Sequence, residues 1–320
     1  MIKKIISEYP LILAEGAVIE RIKREFKFEL NQYIENAGMI YDTIGKKILD
    51  KIYNQYISVA YKFNLPILIL TPTWRANKER LELAGFKDKN VNADCVKFLF
   101  DIRNKYGEFA SKILIGAPMA CKGDAYNPEE ALLSDEAYNF HKFQVKKLSE
   151  AGVDFLLGST LPASSEALGM AKAMAESNIV YILSFVIHPN GKLLDGTSLN
   201  ETISVIDNSV SPKPIYYMLN CVHPTHCMSA INNELNNTEV IRTRLKGLQA
   251  NGSAMSPEEL ELLEKTSSQS PSIWGKKMID LYLNSNLKIL GGCCGTNHHH
   301  IKSIARIFRK IEKTLSLPKL

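Results

Sequence analysis

The sequence predicts an α/β fold, a single (β/α)8 TIM barrel spanning residues 1–320 with an irregular insertion around its seventh strand. Three observations carry that expectation. Short apolar runs recur along the whole chain. Longer amphipathic segments separate them, the alternation of a parallel sheet with covering helices. Neither GxGxxG nor GxxxxGK[ST] follows the first run, so the doubly wound, nucleotide-binding sheet that would share this alternation has no support.

The runs, in order, are LILAE (11–15), LPILILTP (65–72), ILIGAPMA (113–120), DFLLGST (154–160), VYILSFVI (180–187), PIYYMLNC (214–221), GLQAN (247–251) and LKILGGCC (287–294). They are short and rich in Ile, Leu and Val, as strands buried on both faces require; GLQAN is the weakest of them. The clearest helical segments are ALLSDEAYNFHKFQVKKLSEAG (131–152) and SSEALGMAKAMAES (164–177). The second opens after Pro162 on Ser164, good residues for a helix start, with an acidic residue in its first turn. Glu166, on that helix, is expected at the surface. The polar segment 232–275, with NNELNNTE and KTSSQSPS, reads as surface loops and irregular helices around the seventh strand, not as a linker.

The 320 residues carry a net charge of +5, from lysines spread along the chain. No basic run points to nucleic acid. Glu8, Pro10 and Glu15 interrupt the N-terminal apolar stretch too early for a signal-peptide core. No stretch approaches the roughly 20 apolar residues of a membrane span. A cytoplasmic protein is expected, and there six cysteines point to metal binding or catalysis more than to a disulfide framework.

Cys221, Cys293 and Cys294 all fall at the carboxyl-terminal ends of expected strands, the end at which a barrel carries its active site. Neighbouring residues on a regular strand point to opposite faces, so Cys293 and Cys294 can share an ion only where the strand has broken. Gly291, Gly292 and Gly295 supply that freedom. Three thiolates suit zinc and leave a fourth position open for a substrate thiol, which would lose its proton there. A vicinal-disulfide redox switch and inert core thiols are the other readings of the pair. Cys95 and Cys121 read as lone structural thiols, and Cys227 pairs with Cys221 only at a weak spacing. His298, His299 and His300 are expected to open the last helix beside the site without ligating, their role open. His223 and His226 read as helix-start or pocket-wall residues. Trp74 and Arg75 are expected to face the barrel mouth, where an aromatic ring either stacks on a cationic methyl donor or packs.

GGCCGT before a helix, and NC ending an earlier strand, resemble the homocysteine S-methyltransferase family, zinc-dependent thiol methyltransferases related to betaine–homocysteine methyltransferase. The resemblance covers nearly the whole chain. EGAVIERIKRE (15–25), TPTWRAN (71–77), GAP (116–118), EAGVDFLLGSTLP (150–162) and LLDGTSLNE (193–201) are weaker individually. It implies a (β/α)8 enzyme that moves a methyl group from an onium-type or methylfolate donor to homocysteine, forming methionine, with zinc held by Cys221, Cys293 and Cys294. It further implies substrate contacts at Glu15, Gly16, Thr73, Trp74, Ser159 and Asn220. Two positions depart from the family. Ser159 stands where an acid usually meets the substrate ammonium, and Glu15 replaces the opening Asp. These departures keep a different thiol or selenol acceptor, and a catalytically silent ligand-binding member, as alternatives. Small-molecule acceptor and donor are the expected partners, without nucleic acid or membrane. The donor is unnamed by the sequence, and a homo-oligomer is left open.

Overall fold

In the computed structural model, which describes residues 2–255 and 268–316, the apolar runs become parallel strands that pair in sequence order and close into a barrel. They are β1 (Ile12–Ala14), β2 (Ile67–Leu70), β3 (Ile113–Met119), β4 (Phe155–Leu161), β5 (Tyr181–Phe185), β6 (Tyr216–Val222), β7 (Leu245–Ala250) and β8 (Ile289–Gly292). The ring closes where Ile12 and Leu13 pair with Ile289 and Leu290. β7 starts ahead of the GLQAN run, because Leu245 is already paired with Tyr217. The described helices are α1 (Ile2–Glu8), α2 (Ile19–Glu25), α3 (Thr43–Phe63), α4 (Lys78–Leu83), α5 (Val91–Asn104), α6 (Ser134–Glu150), α7 (Ser164–Ala175), α8 (Leu199–Ser209), α9 (Pro224–Asn232), α10 (Glu239–Arg244), α11 (Pro271–Asn284) and α12 (His298–Ser316). Among the described residues, no helix is long and apolar enough to cross a membrane. Part of the polar segment 232–275 lies outside the described residues; the rest includes α10 and the start of α11.

Strand parity sorts the side chains into two cores. Ile12, Leu68, Leu114, Phe155, Leu157, Ile182, Tyr216, Met218 and Ile289 fill the barrel interior. Gly116 is needed there, since a Cβ would stand 2.2 Å from the Phe155 ring. Ile2 and Ile5 of α1 join the same cluster, so this helix plugs the amino-terminal end. The alternate strand residues pack outward against the helices in a second, larger core. The carboxyl-terminal end stays polar, and the functional side chains gather there.

Glu166 corrects one expectation. It is fully buried (0% exposed), in the first turn of α7, and not at the surface. Its carboxylate accepts from the backbone N–H of Lys122 and Leu132 at 2.8 and 3.1 Å and lies 2.9 Å from His141 Nε2. A helical pattern shows which residues face the barrel, but not that a loop folds back over the helix start.

Candidate metal centre and acceptor site

Cys221 stands where an unbroken strand would not put it. Residues 216, 218 and 220 face the barrel interior, so parity would send Cys221 outward. Instead it takes a left-handed φ of 55°, and the β6–β7 register shifts between Asn220 and Val222. This bulge re-aims the side chain to the mouth. β8 ends at Gly292, directly before the other two cysteines. Gly291 lies against Ala14, and a Cβ on Gly292 would meet Thr296 Oγ1 at 2.1 Å. Gly295 turns the chain at φ 77°. The turn is fastened on every side. Gly292 N–H donates to Glu15 O (2.9 Å), Cys293 N–H to Ala250 O (2.7 Å), Gly252 N–H to Cys294 O (2.8 Å), and Thr296 Oγ1 to Cys293 O (2.7 Å).

The three sulfurs converge, all within 4.8 Å of one another, a grouping that could hold a metal ion. Cys221 and Cys293 lie 2.7 Å apart, sulfur to sulfur. The Cys221 thiol is held well below its usual range because Cys293 and Cys294 donate to it. The same bonds push Cys293 well up, and Cys294 up to about 12. The three sulfurs match the soft donors that zinc takes. Cys95, Cys121 and Cys227 are buried elsewhere, with Cys227 on α9.

Asn220 braces the floor of this site. Its Nδ2 donates to Thr160 Oγ1 (2.6 Å) and reaches Cys221 Sγ at 3.5 Å. Its Oδ1 accepts from Thr160 N–H (3.1 Å) and Ser184 Oγ (2.7 Å). Thr160 itself sits at φ 63° in a second register shift, between Gly158 and Leu161 of β4. Ser159, beside it, is buried, and its hydroxyl makes one long contact to Thr160 Oγ1, 3.4 Å. Glu15 is buried just past β1, where its Oε2 accepts from Leu70 N–H (2.9 Å). Burial pushes its carboxyl well above the usual range, against the pull of that hydrogen bond. Gly16 is packed against Tyr56 and Thr296, with no room for a Cβ.

Thr73 is fully buried, its hydroxyl shared with Thr71 and Pro118 O, so its side chain is already engaged. Trp74 donates from Nε1 to Ser159 O (3.3 Å), and the Arg75 guanidinium covers its ring at 4.4 Å. A cation therefore already lies on that aromatic face. His223 is the N-cap of α9, and His298–His300 open α12. His300 contacts Ser268 and Gln269 O, 3.2 and 3.1 Å.

Sequence reasoning missed four residues here. Tyr126, in the β3–α6 loop, faces the sulfurs: its hydroxyl is pushed up foremost by the Cys221 charge and hydrogen-bonds toward that sulfur. Asn251 donates from Nδ2 to Cys221 O (3.0 Å), while its Oδ1 is buried without a partner. Glu20 accepts from Gly295 N–H. Ser184 had a legible signal, a polar residue at an interior position of an apolar strand; Tyr126 lay in a loop with none.

A closed parallel barrel with three thiols gathered at its carboxyl-terminal mouth defines the class, a (β/α)8 barrel with a thiol centre. The particular family follows from comparison: the chain belongs to the homocysteine S-methyltransferase family, whose sequence profile matches residues 12–308, and it is a methyltransferase. It is 22% identical to homocysteine S-methyltransferase YbgG of Bacillus subtilis over 98% of this chain and 99% of that one. It is 22% identical to a selenocysteine methyltransferase of Astragalus bisulcatus, over 78% and 81%. The metallated form of the homocysteine methyltransferase MmuM from Escherichia coli superposes with a TM-score of 0.76 at 17% identity, over 96% of this chain and 99% of that one. That likeness establishes the fold.

Proposed function

We propose that the chain, one domain over residues 1–320, is a zinc-dependent S-methyltransferase acting on homocysteine in the cytoplasm, with an onium-type methyl donor and methionine as product. The observation that carries this reading is the convergence of Cys221, Cys293 and Cys294 within 4.8 Å at the barrel mouth. These three residues would be the zinc ligands. The chemistry that zinc supplies when bound is a lowered pKa for the acceptor thiol, which makes it a thiolate at neutral pH.

The chain's own residues do the rest. The bulge at Cys221 and the glycine turn at 291–295 aim three thiolates at one point. Asn220 holds the bulges of β4 and β6 in register with each other. Glu15 would meet the acceptor's ammonium group, and Gly16, whose Cβ position is filled by Tyr56 and Thr296, would offer the substrate only its backbone. Ser159 and Trp74 would border the donor side, with Ser159 contributing a neutral hydroxyl. Alignment of thiolate and methyl carbon supplies the remaining rate by positioning.

A second reading keeps the chemistry and changes the acceptor to another thiol or a selenol. Ser159 favours it, because a neutral side chain leaves Glu15 to meet an ammonium alone; a selenocysteine methyltransferase is also among the relatives. Zinc-edge X-ray absorption with and without homocysteine separates the two. The expected result is three sulfur neighbours that become four on adding homocysteine. Bound zinc with an unchanged shell would overturn homocysteine and favour the second acceptor.

A further inference from the structure

The β3–α6 loop, residues 120–133, carries a feature that the transfer chemistry does not use. β3 lies on the far side of the ring from β6 and β8, so Tyr126 meets the sulfurs only because this loop crosses the mouth. One carboxylate fastens both of its feet. Glu166 accepts from Lys122 N–H (2.8 Å) at one end and from Leu132 N–H (3.1 Å) at the other. Arg75 adds bonds to Cys121 O and Gly123 O, 3.1 and 2.8 Å. Between the feet the loop is tied to itself, with Glu130 accepting from Asp124 N–H at 2.8 Å. Ala125 is buried at its tip, and Tyr126 beside it is 36% exposed, one edge in solvent and its hydroxyl toward Cys221.

We propose that residues 120–133 form a strap across the thiol site and that Tyr126 is its positioning residue, its ring narrowing the path by which an acceptor thiol reaches Cys221, Cys293 and Cys294. The strap selects slender, unbranched thiols over bulky ones. The proposal rests on these cysteines being the reacting centre, but its test needs neither metal nor methyl transfer.

Full-length protein, stripped of metal with a chelator, is alkylated with iodoacetamide and, separately, with pyrenyl maleimide, and each cysteine is read by peptide mass mapping. In the wild type the three mouth cysteines are expected to lose reactivity steeply with the bulky reagent. Tyr126→Ala should raise their rate with that reagent about ten-fold, while Tyr126→Phe keeps the ring and the size selection. Glu166→Gln, with a foot released, should move the same way as Tyr126→Ala and open tryptic cleavage after Lys122. Cys95 and Cys227, buried elsewhere, must stay silent throughout as the control for folding. A wild type that reacts equally with both reagents overturns the strap, whatever the variants do. So does a folded Tyr126→Ala whose rates match the wild type. If zinc fails to bind while size selection persists, the metal reading falls and the strap stands.

Discussion

At the scale of residues, Cys221 shows how a side chain can be chemically legible and geometrically hidden. Three cysteines at strand ends announce a thiol centre from residue type alone. The left-handed φ of 55° that delivers Cys221 does not show in the sequence, because a cysteine has no preference for it. Such a conformation costs on the order of 1–3 kcal/mol and persists where its surroundings enforce it, a pattern common at functional sites. Loss of any one of the three thiols should abolish metal retention and turnover; Cys294→Ser with full activity, measured beside its zinc content, would sink the ligand assignment. Glu15 gives a prediction of different sign. Burial raises its carboxyl, so the folded state binds a proton that the unfolded state has already released. Stability is therefore fully present below the ordinary carboxylate pKa, about 4.3, and falls as the pH climbs toward the raised value. Glu15→Gln keeps an acceptor for Leu70 N–H and removes the buried charge. It should melt higher than the wild type at neutral pH, show a flatter melting profile above pH 5, and lose affinity for an amino-acid thiol. A melting temperature that tracks the wild type across that range would contradict the buried charge.

At the scale of elements, strands were readable and loops were not, for a physical reason. A strand buried on both faces is mostly apolar, so composition marks seven of the eight plainly and β7, with Lys246 and Gln249, only weakly. A loop is shaped by what it lands on. Nothing in DAYNPEE foretells that Glu166 will pin its feet or that Tyr126 will overhang the sulfurs. The β8 turn lies between these cases: its glycines were legible as freedom, while the structure shows them as close approach. Gly292→Ala sets a Cβ against Thr296 Oγ1, which itself bonds Cys293 O. The expected cost is about 1–3 kcal/mol of stability, the usual range for overpacking, together with weaker metal binding, because Cys293 and Cys294 ride on that turn. Asn220→Ala acts on the opposite wall. It removes the bonds that join the bulges of β4 and β6 to each other and to Ser184 of β5, and should lower turnover without removing a ligand. Calorimetry paired with metal titration checks both; a Gly292→Ala protein with native affinity would show that the turn tolerates the shift.

At the scale of the whole molecule, the barrel divides stability from chemistry along its axis, as parallel barrels generally do. The carboxyl-terminal mouth holds strained backbone, a buried carboxylate and partly exposed thiols. The opposite end is closed by α1, whose Ile2 and Ile5 are packed on the interior layer with Leu68, Leu114 and Ile289. This plug packs at the end of the barrel opposite the thiols, so its energy should be separable from the site's. Ile5→Ala leaves a cavity at the barrel floor and should cost roughly 2–5 kcal/mol, seen as a melting temperature lowered by several degrees. Below that transition the variant should bind zinc with the wild-type stoichiometry, because the sulfurs are positioned by β6, β8 and the braces between them rather than by the floor. Melting and metal titration on the same preparation decide the matter. If Ile5→Ala lost zinc affinity while still folded, the two ends would be coupled through the interior layer. The mouth could then no longer be treated as a site built only from its own strand ends.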